Sequence, residues 1–154
     1  MSVNTSEIIR VTKLFSFEMA HALMGHDGPC KNIHGHSYKL RVTLKGKALS
    51  ESGHPKDGMI IDFSELKAMI NEAVIKVYDH ALVLNSAAYN DEIELLSKQY
   101  ARVILVPFQP SCENLIVEMK NKINLLFVNR PFELISLRLD ETATSYAEWY
   151  ADDN

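Results

Sequence analysis

His34-Gly35-His36 is where residue types and spacing most plainly permit chemistry. Side chains alternate across an extended segment, so two histidines two apart present both imidazoles on one side. His21 ends an earlier alternating run and continues the apolar face of Phe15, Phe17 and Met19. It could supply a third nitrogen from a neighbouring strand. Three neutral imidazoles suit Zn2+, and three protein ligands leave a fourth position for a reactant. Cys30 stands four residues before His34 in the broken segment GHDGPCKNI. Beside a cation, a thiolate there could take and return protons. Two other readings stay open on the residues alone. The histidines could be core side chains bonded to backbone, or Cys30 could close a structural site as a fourth ligand. His26 and His54, beside Gly or Pro in polar segments, read as solvated.

These groups need paired strands to hold them. From His34 to Lys45 the chain alternates, with His36, Tyr38, Leu40, Val42 and Leu44 on one face and Ser37, Lys39, Arg41, Thr43 and Lys45 on the other. That pattern predicts a strand half-buried in an antiparallel sheet. Ile8 to His21 predicts another, with Ser16 and Glu18 on its alternate face. After the polar turn KALSESGHPKDG, Asp62 opens a helix, with Glu65 three residues on as a capping-box signature. Leu66, Met69, Ile70, Ala73, Val74 and Val77 repeat at helical spacing to near Asp79. A short helical pattern from Asp91 to Tyr100 precedes a β-rich run from Arg102 to Val106. Ser111 reads as the N-cap of a second amphipathic helix carrying Leu115, Ile116, Met119, Ile123, Leu126 and Phe127, which Pro131 stops. The last strand runs from Phe132, with Ile135, Leu137, Leu139 and Glu141 on one face and Arg138 and Asp140 on the other. A carboxylate at the end of such an apolar face needs a partner, and a ligand is a plausible one. The expected fold is one α+β domain over residues 1–154, an antiparallel β-sheet with two helices packed on one face.

The 154 residues, 47% hydrophobic and 23% charged, suit a globular domain with a real core. A net charge of -4 without a block of like charge offers no nucleic-acid or membrane surface. The N-terminus has no basic segment followed by an apolar run, and no stretch approaches the roughly 18 apolar residues of a membrane span. A cytoplasmic location is expected. Two cysteines, Cys30 and Cys112, are too few for a disulfide framework.

Read together, several motifs resemble the 6-pyruvoyl-tetrahydropterin synthase superfamily. They are F-x-F-E-x-A-H at Phe15 to His21, C-x-x-x-H-G-H at Cys30 to His36 and D-G-x-x-I-D-F-x-x-L-K at Asp57 to Lys67. Asp79-His80, P-S-C-E-N-L at Pro110 to Leu115 and Glu141-Thr142 complete the set, which spans most of the chain. Within that superfamily the likeness is greatest to bacterial 6-carboxytetrahydropterin synthases. The resemblance implies conversion of 7,8-dihydroneopterin triphosphate to 6-carboxytetrahydropterin, with loss of triphosphate and acetaldehyde, on the route to queuosine. It implies Zn2+ on His21, His34 and His36, a base at Cys30, a proton relay at Asp79 and His80, and pterin-holding carboxylates at Glu113 and Glu141. Asp79-His80 could instead cap a helix, and Glu113 could simply favour a helix N-terminus. The resemblance further implies the tunnelling fold, with subunits joining into a trimeric barrel, two trimers forming a homohexamer, and sites lying between subunits. The alternatives are 6-pyruvoyl-tetrahydropterin synthase itself and a non-catalytic zinc- or pterin-binding module. Only Lys31, Asn32 and Ile33 separate Cys30 from His34, which favours the carboxy-forming branch. Cys112 stands where relatives more often carry Ser or Thr, and Ala22 where many bacterial members carry Arg. The 85–109 segment is longer than in compact bacterial members.

Overall fold

A computed structural model describes residues 6–87 and 90–154. Residues 1–5 of the N-terminal stretch, and 88 and 89 of the 85–109 segment, lie outside the described residues. Strands β1 (Ile8–His21) and β2 (His34–Lys47) form an antiparallel hairpin paired along its whole length, from Ile8 opposite Lys47 to His21 opposite His34. Their alternation buries Phe15, Phe17 and Met19 on β1 and Tyr38, Leu40, Val42 and Leu44 on β2.

After β2 come α1 (Phe63–Ile70), a π-helical turn (Asn71–Ile75) and α2 (Lys76–Tyr78). The Asp62 carboxylate caps α1 by accepting from the Ser64 amide at 2.7 Å. Glu65 pairs with Arg130 rather than closing the capping box. The π turn has a packing reason. Leu66, Ile70, Val74 and Tyr78, all buried, lie four apart, and on an ideal α-helix each such step drifts by about 40°. A locally wider turn keeps them on one stripe facing the sheet.

Strand β3 (Ala81–Asn85), helix α3 (Asn90–Gln99) and strand β4 (Val103–Val106) follow, then α4 (Cys112–Leu126), β5 (Phe132–Asp140) and β6 (Tyr146–Tyr150). The six strands form one sheet in the order β4-β3-β1-β2-β5-β6. The α+β class, with α1 and α4 packed on one face, is as expected from the sequence. The sheet, however, is mixed, because β3 runs parallel to β1 and β4 parallel to β3. A helical crossover returns the chain to the same end of a sheet, and β3 and β4 are joined by one.

Ala81 and Val83 of β3 belong to the main core with the α1 and α4 side chains, whereas Leu82 and Leu84 pack with Ile93, Leu96 and Val103 in a second cluster. Helix α3 therefore covers the opposite face of the sheet at this edge. Strand β5 carries a bulge. Thr43 pairs with Ser136 but Leu44 pairs with Leu134, leaving Ile135 as an extra residue. Phe132 and Leu134 are buried before it, and Leu137 and Leu139 after it. The expected continuous face through Ile135 is corrected accordingly, since the slip puts Leu134 in the core instead.

Candidate metal centre and its surroundings

The β1–β2 register sets His21 directly opposite His34, with His36 opposite Met19 one step along. His36 and His34 share a face of β2, and the three rings converge. Ring centroids are 4.6 Å apart for His21 and His34, 5.3 Å for His21 and His36, and 5.0 Å for His34 and His36. One ligand nitrogen from each lies within 4.8 Å of the others. Gly35 between them sits tight against β1, where an added Cβ would lie 3.3 Å from the Met19 carbonyl oxygen.

Backbone carbonyls select the tautomers. A carbonyl can only accept, so His21 Nδ1–H donates to Pro110 at 2.7 Å and His34 Nδ1–H donates to Asn32 at 2.8 Å. Each Nε2 then carries the lone pair, the arrangement that metal-binding histidines adopt. His21 is 2% exposed, and its Nε2 is buried without a hydrogen-bond partner. Burial, opposed by the Pro110 bond, lowers its pKa below the ordinary 6.5 and keeps the ring neutral. A buried lone pair facing two other imidazoles fits a zinc-like cation.

Glu141 follows the last residue of β5 on the core face and brings Oε1 to 3.7 Å from His21 Nε2. The Tyr38 hydroxyl donates to the same oxygen at 3.2 Å. Tyr38 is fully buried and stacks on Phe17, and burial followed by the Glu141 charge holds its phenol firmly protonated. Glu113 lies exposed in the first turn of α4, whose N-cap Ser111 accepts from Asn114. Between the two glutamates sits Cys112, its thiol donating to the Leu139 carbonyl at 3.3 Å. Burial first, then Glu141, pushes that thiol up to about 12, so it is no nucleophile.

Cys30 is half-buried in a 3-10 turn, Pro29–Lys31, whose Cys30 carbonyl accepts from the Leu23 amide at 2.8 Å. The loop thus folds back over the strand ends. Cys30 is a free thiol and is not part of the imidazole cluster. His26 and His54 each accept a backbone amide within their own turns, from Gly28 and Lys56.

Asp79 ends α2, but its carboxylate does not simply cap the helix. Oδ1 accepts from the Glu18 amide at 2.9 Å and meets His80 Nδ1 at 3.0 Å. The Glu18 amide is the main reason the carboxyl sits below its usual range. His80 is largely exposed with a φ of 59°, a left-handed conformation rare outside glycine, and its amide donates to the Glu18 carbonyl. Such strain is commonly held at functional positions. His80 and His36 line one groove of about 690 Å³ with Glu18, Leu96, Tyr100 and Arg102. A groove of about 760 Å³ at the other end of the hairpin, beside Ile8, Lys47 and Met59, contains none of these groups.

Sequence reasoning missed Tyr38 as the partner of Glu141, reading it only as an apolar-face residue. It also missed Pro110, which acts through its carbonyl and leaves no mark in residue type. Glu18 serves mainly through its backbone.

Three convergent histidines, His21 and His34 with tautomers fixed by backbone carbonyls, define on an α+β scaffold a candidate metal-binding protein with a carboxylate beside the centre. A family model described as 6-pyruvoyl tetrahydropterin synthase matches residues 10–152, and the chain belongs to this family. The 6-carboxy-5,6,7,8-tetrahydropterin synthase of Haemophilus influenzae is 36% identical over 144 residues, 92% of this chain and 99% of that one. The protein of the same name from Rickettsia bellii is 28% identical over 142 residues, again 92% and 99% of the two chains. Among solved structures, an uncharacterized protein from Wolinella succinogenes superposes with a TM-score of 0.77 at 19% identity, covering 95% and 99% of the two chains. Caenorhabditis elegans 6-pyruvoyl tetrahydropterin synthase gives 0.68 at 21% identity, covering 97% and 99%. At these identities the structural matches establish the fold alone.

Proposed function

We propose that this chain is a zinc-dependent 6-carboxy-5,6,7,8-tetrahydropterin synthase. It converts 7,8-dihydroneopterin triphosphate to the 6-carboxy product, with loss of triphosphate and acetaldehyde, in queuosine biosynthesis. The observation that carries this reading is the orphaned, buried Nε2 of His21 facing His34 and His36, with Glu141 beside it. The name and near-full coverage of the Haemophilus influenzae relative support the choice of substrate. So does the short spacing from Cys30 to His34.

His21, His34 and His36 would hold the zinc. When bound, it would act as a Lewis acid on side-chain oxygens of the substrate and acidify the adjacent C–H. Cys30, on the loop folded over the strand ends, takes and returns the proton. His80, oriented through Nδ1 by Asp79, serves as the second proton carrier. Glu141 and Glu113 accept from the N–H groups of the pterin ring, where an ionised carboxylate can bond two adjacent donors at once. Tyr38 spends its proton on one Glu141 oxygen, which fixes the direction of the other.

Metal analysis joined to product identification by mass spectrometry tests the reading. Stoichiometric zinc, acetaldehyde and the 6-carboxy product are expected, whereas a pyruvoyl product without acetaldehyde would assign the chain to the other branch. Cys30→Ala should lower kcat by about 10²- to 10⁴-fold at unchanged zinc content and melting temperature. Undiminished turnover in that variant would remove Cys30 from the chemistry.

A further inference from the structure

Arg102 belongs to none of the motifs, yet it is bonded to both ends of the turn that carries Asp79 and His80. The last carbonyls of a helix have no partners within it. At the end of α2, one Arg102 guanidinium nitrogen donates to the Lys76 carbonyl at 2.6 Å and to the Val77 carbonyl at 3.0 Å. On the far side of the turn, the Leu82 amide donates to the Arg102 carbonyl at 2.9 Å. The residues between are those with the least freedom to spare. His80 sits at φ 59° with its amide on Glu18, and Asp79 is tied to the Glu18 amide. Glu18 is itself oriented by the Ser37 hydroxyl at 2.7 Å. Strand β1 thus holds the middle of the turn and Arg102 holds its flanks. Arg102 also lines the groove that His80 enters, and its charge adds to the lowering at Asp79 that the Glu18 amide leads.

We infer that Arg102 is a positioning residue: its guanidinium fixes the Asp79–His80 turn, and with it the placement of the His80 ring in the groove. A left-handed histidine persists only where its surroundings over-determine it, and the free helix end is the one boundary of this turn that β1 does not secure. The inference rests on the proposed role of His80 in proton transfer.

The test is a double-mutant cycle on the zinc-loaded protein, with kcat and KM measured separately on dihydroneopterin triphosphate. Arg102→Met keeps the stem and removes the donors. It should lower kcat by about 10- to 100-fold, the effect of a misplaced catalytic group, with KM within about twofold and zinc content unchanged. Arg102→Lys, whose ammonium can reach carbonyls but not as a planar fork, should recover part of the loss. In a His80→Ala background, Arg102→Met should cost less than about twofold, because the group it positions is gone. A rise in KM alone would make Arg102 a substrate contact and overturn the inference, as would an equal loss in both backgrounds. Full turnover by His80→Ala would instead sink the proton-transfer reading, whatever Arg102→Met does. Should Arg102→Met fail to fold, Arg102→Gln is read by the same cycle.

Discussion

A histidine with Nδ1 committed to a carbonyl and Nε2 shut away from water has little use for a proton. His21 is in that position, and its pKa is lowered from 6.5 mainly by burial. As pH falls below about 6.5, the unfolded chain takes up a proton there that the folded chain refuses. Stability contributed by the neutral ring is therefore complete above that pH and is lost as acid approaches the folded-state value. In chelator-treated protein, the urea midpoint should be lower at pH 5.5 than at pH 7.5, and His21→Gln should flatten that difference. Equal slopes in the two proteins would show that other groups set the acid response. The three imidazoles were legible in the sequence because a two-residue period fixes which side a strand residue faces. The Tyr38–Glu141 bond was not, since it joins residues 103 apart through a pairing no local pattern records.

At the scale of elements, the Ser111 cap does two things at once. Its hydroxyl accepts from Asn114 to start α4, and so fixes the turn holding Cys112 and Glu113. Ser111→Ala should cost about 1 kcal/mol, visible as a melting temperature lower by roughly 2–4 °C. An unchanged melt would mean that the exposed first turn finds its partners in water. Both amphipathic helices and the β1–β2 hairpin could be read from periodicity. The π turn could not, because a four-residue spacing looks helical whether the backbone widens or the stripe drifts. Strand β6 was missed for a different reason. Tyr146, Glu148 and Tyr150 face solvent while Ala147 and Trp149 are only half-buried, so the short edge strand has little apolar contrast. The parallel placement of β3 and β4 depends on a crossover, which pattern alone does not orient.

For the whole molecule, β4 and β6 are the two ends of the sheet's strand order, and edge strands invite pairing with other chains. We expect the barrel-forming homohexamer that the family resemblance implies, and sedimentation should show a species six times the mass of the chain. A concentration-independent monomer would contradict it. The slip at Ile135 bears on the whole length of the subunit as well. Upstream of it, even-numbered residues of β5 enter the core; downstream, odd-numbered ones do, and that parity is what aims Glu141 at His21. The stretch before the bulge and the stretch that leads to the imidazoles thus obey opposite counting rules within a single strand. Taking out Ile135 would join Leu134 to Ser136 in the pairing they already have and leave the carboxylate aimed inward, whereas losing one residue between Leu137 and Glu141 would turn it outward.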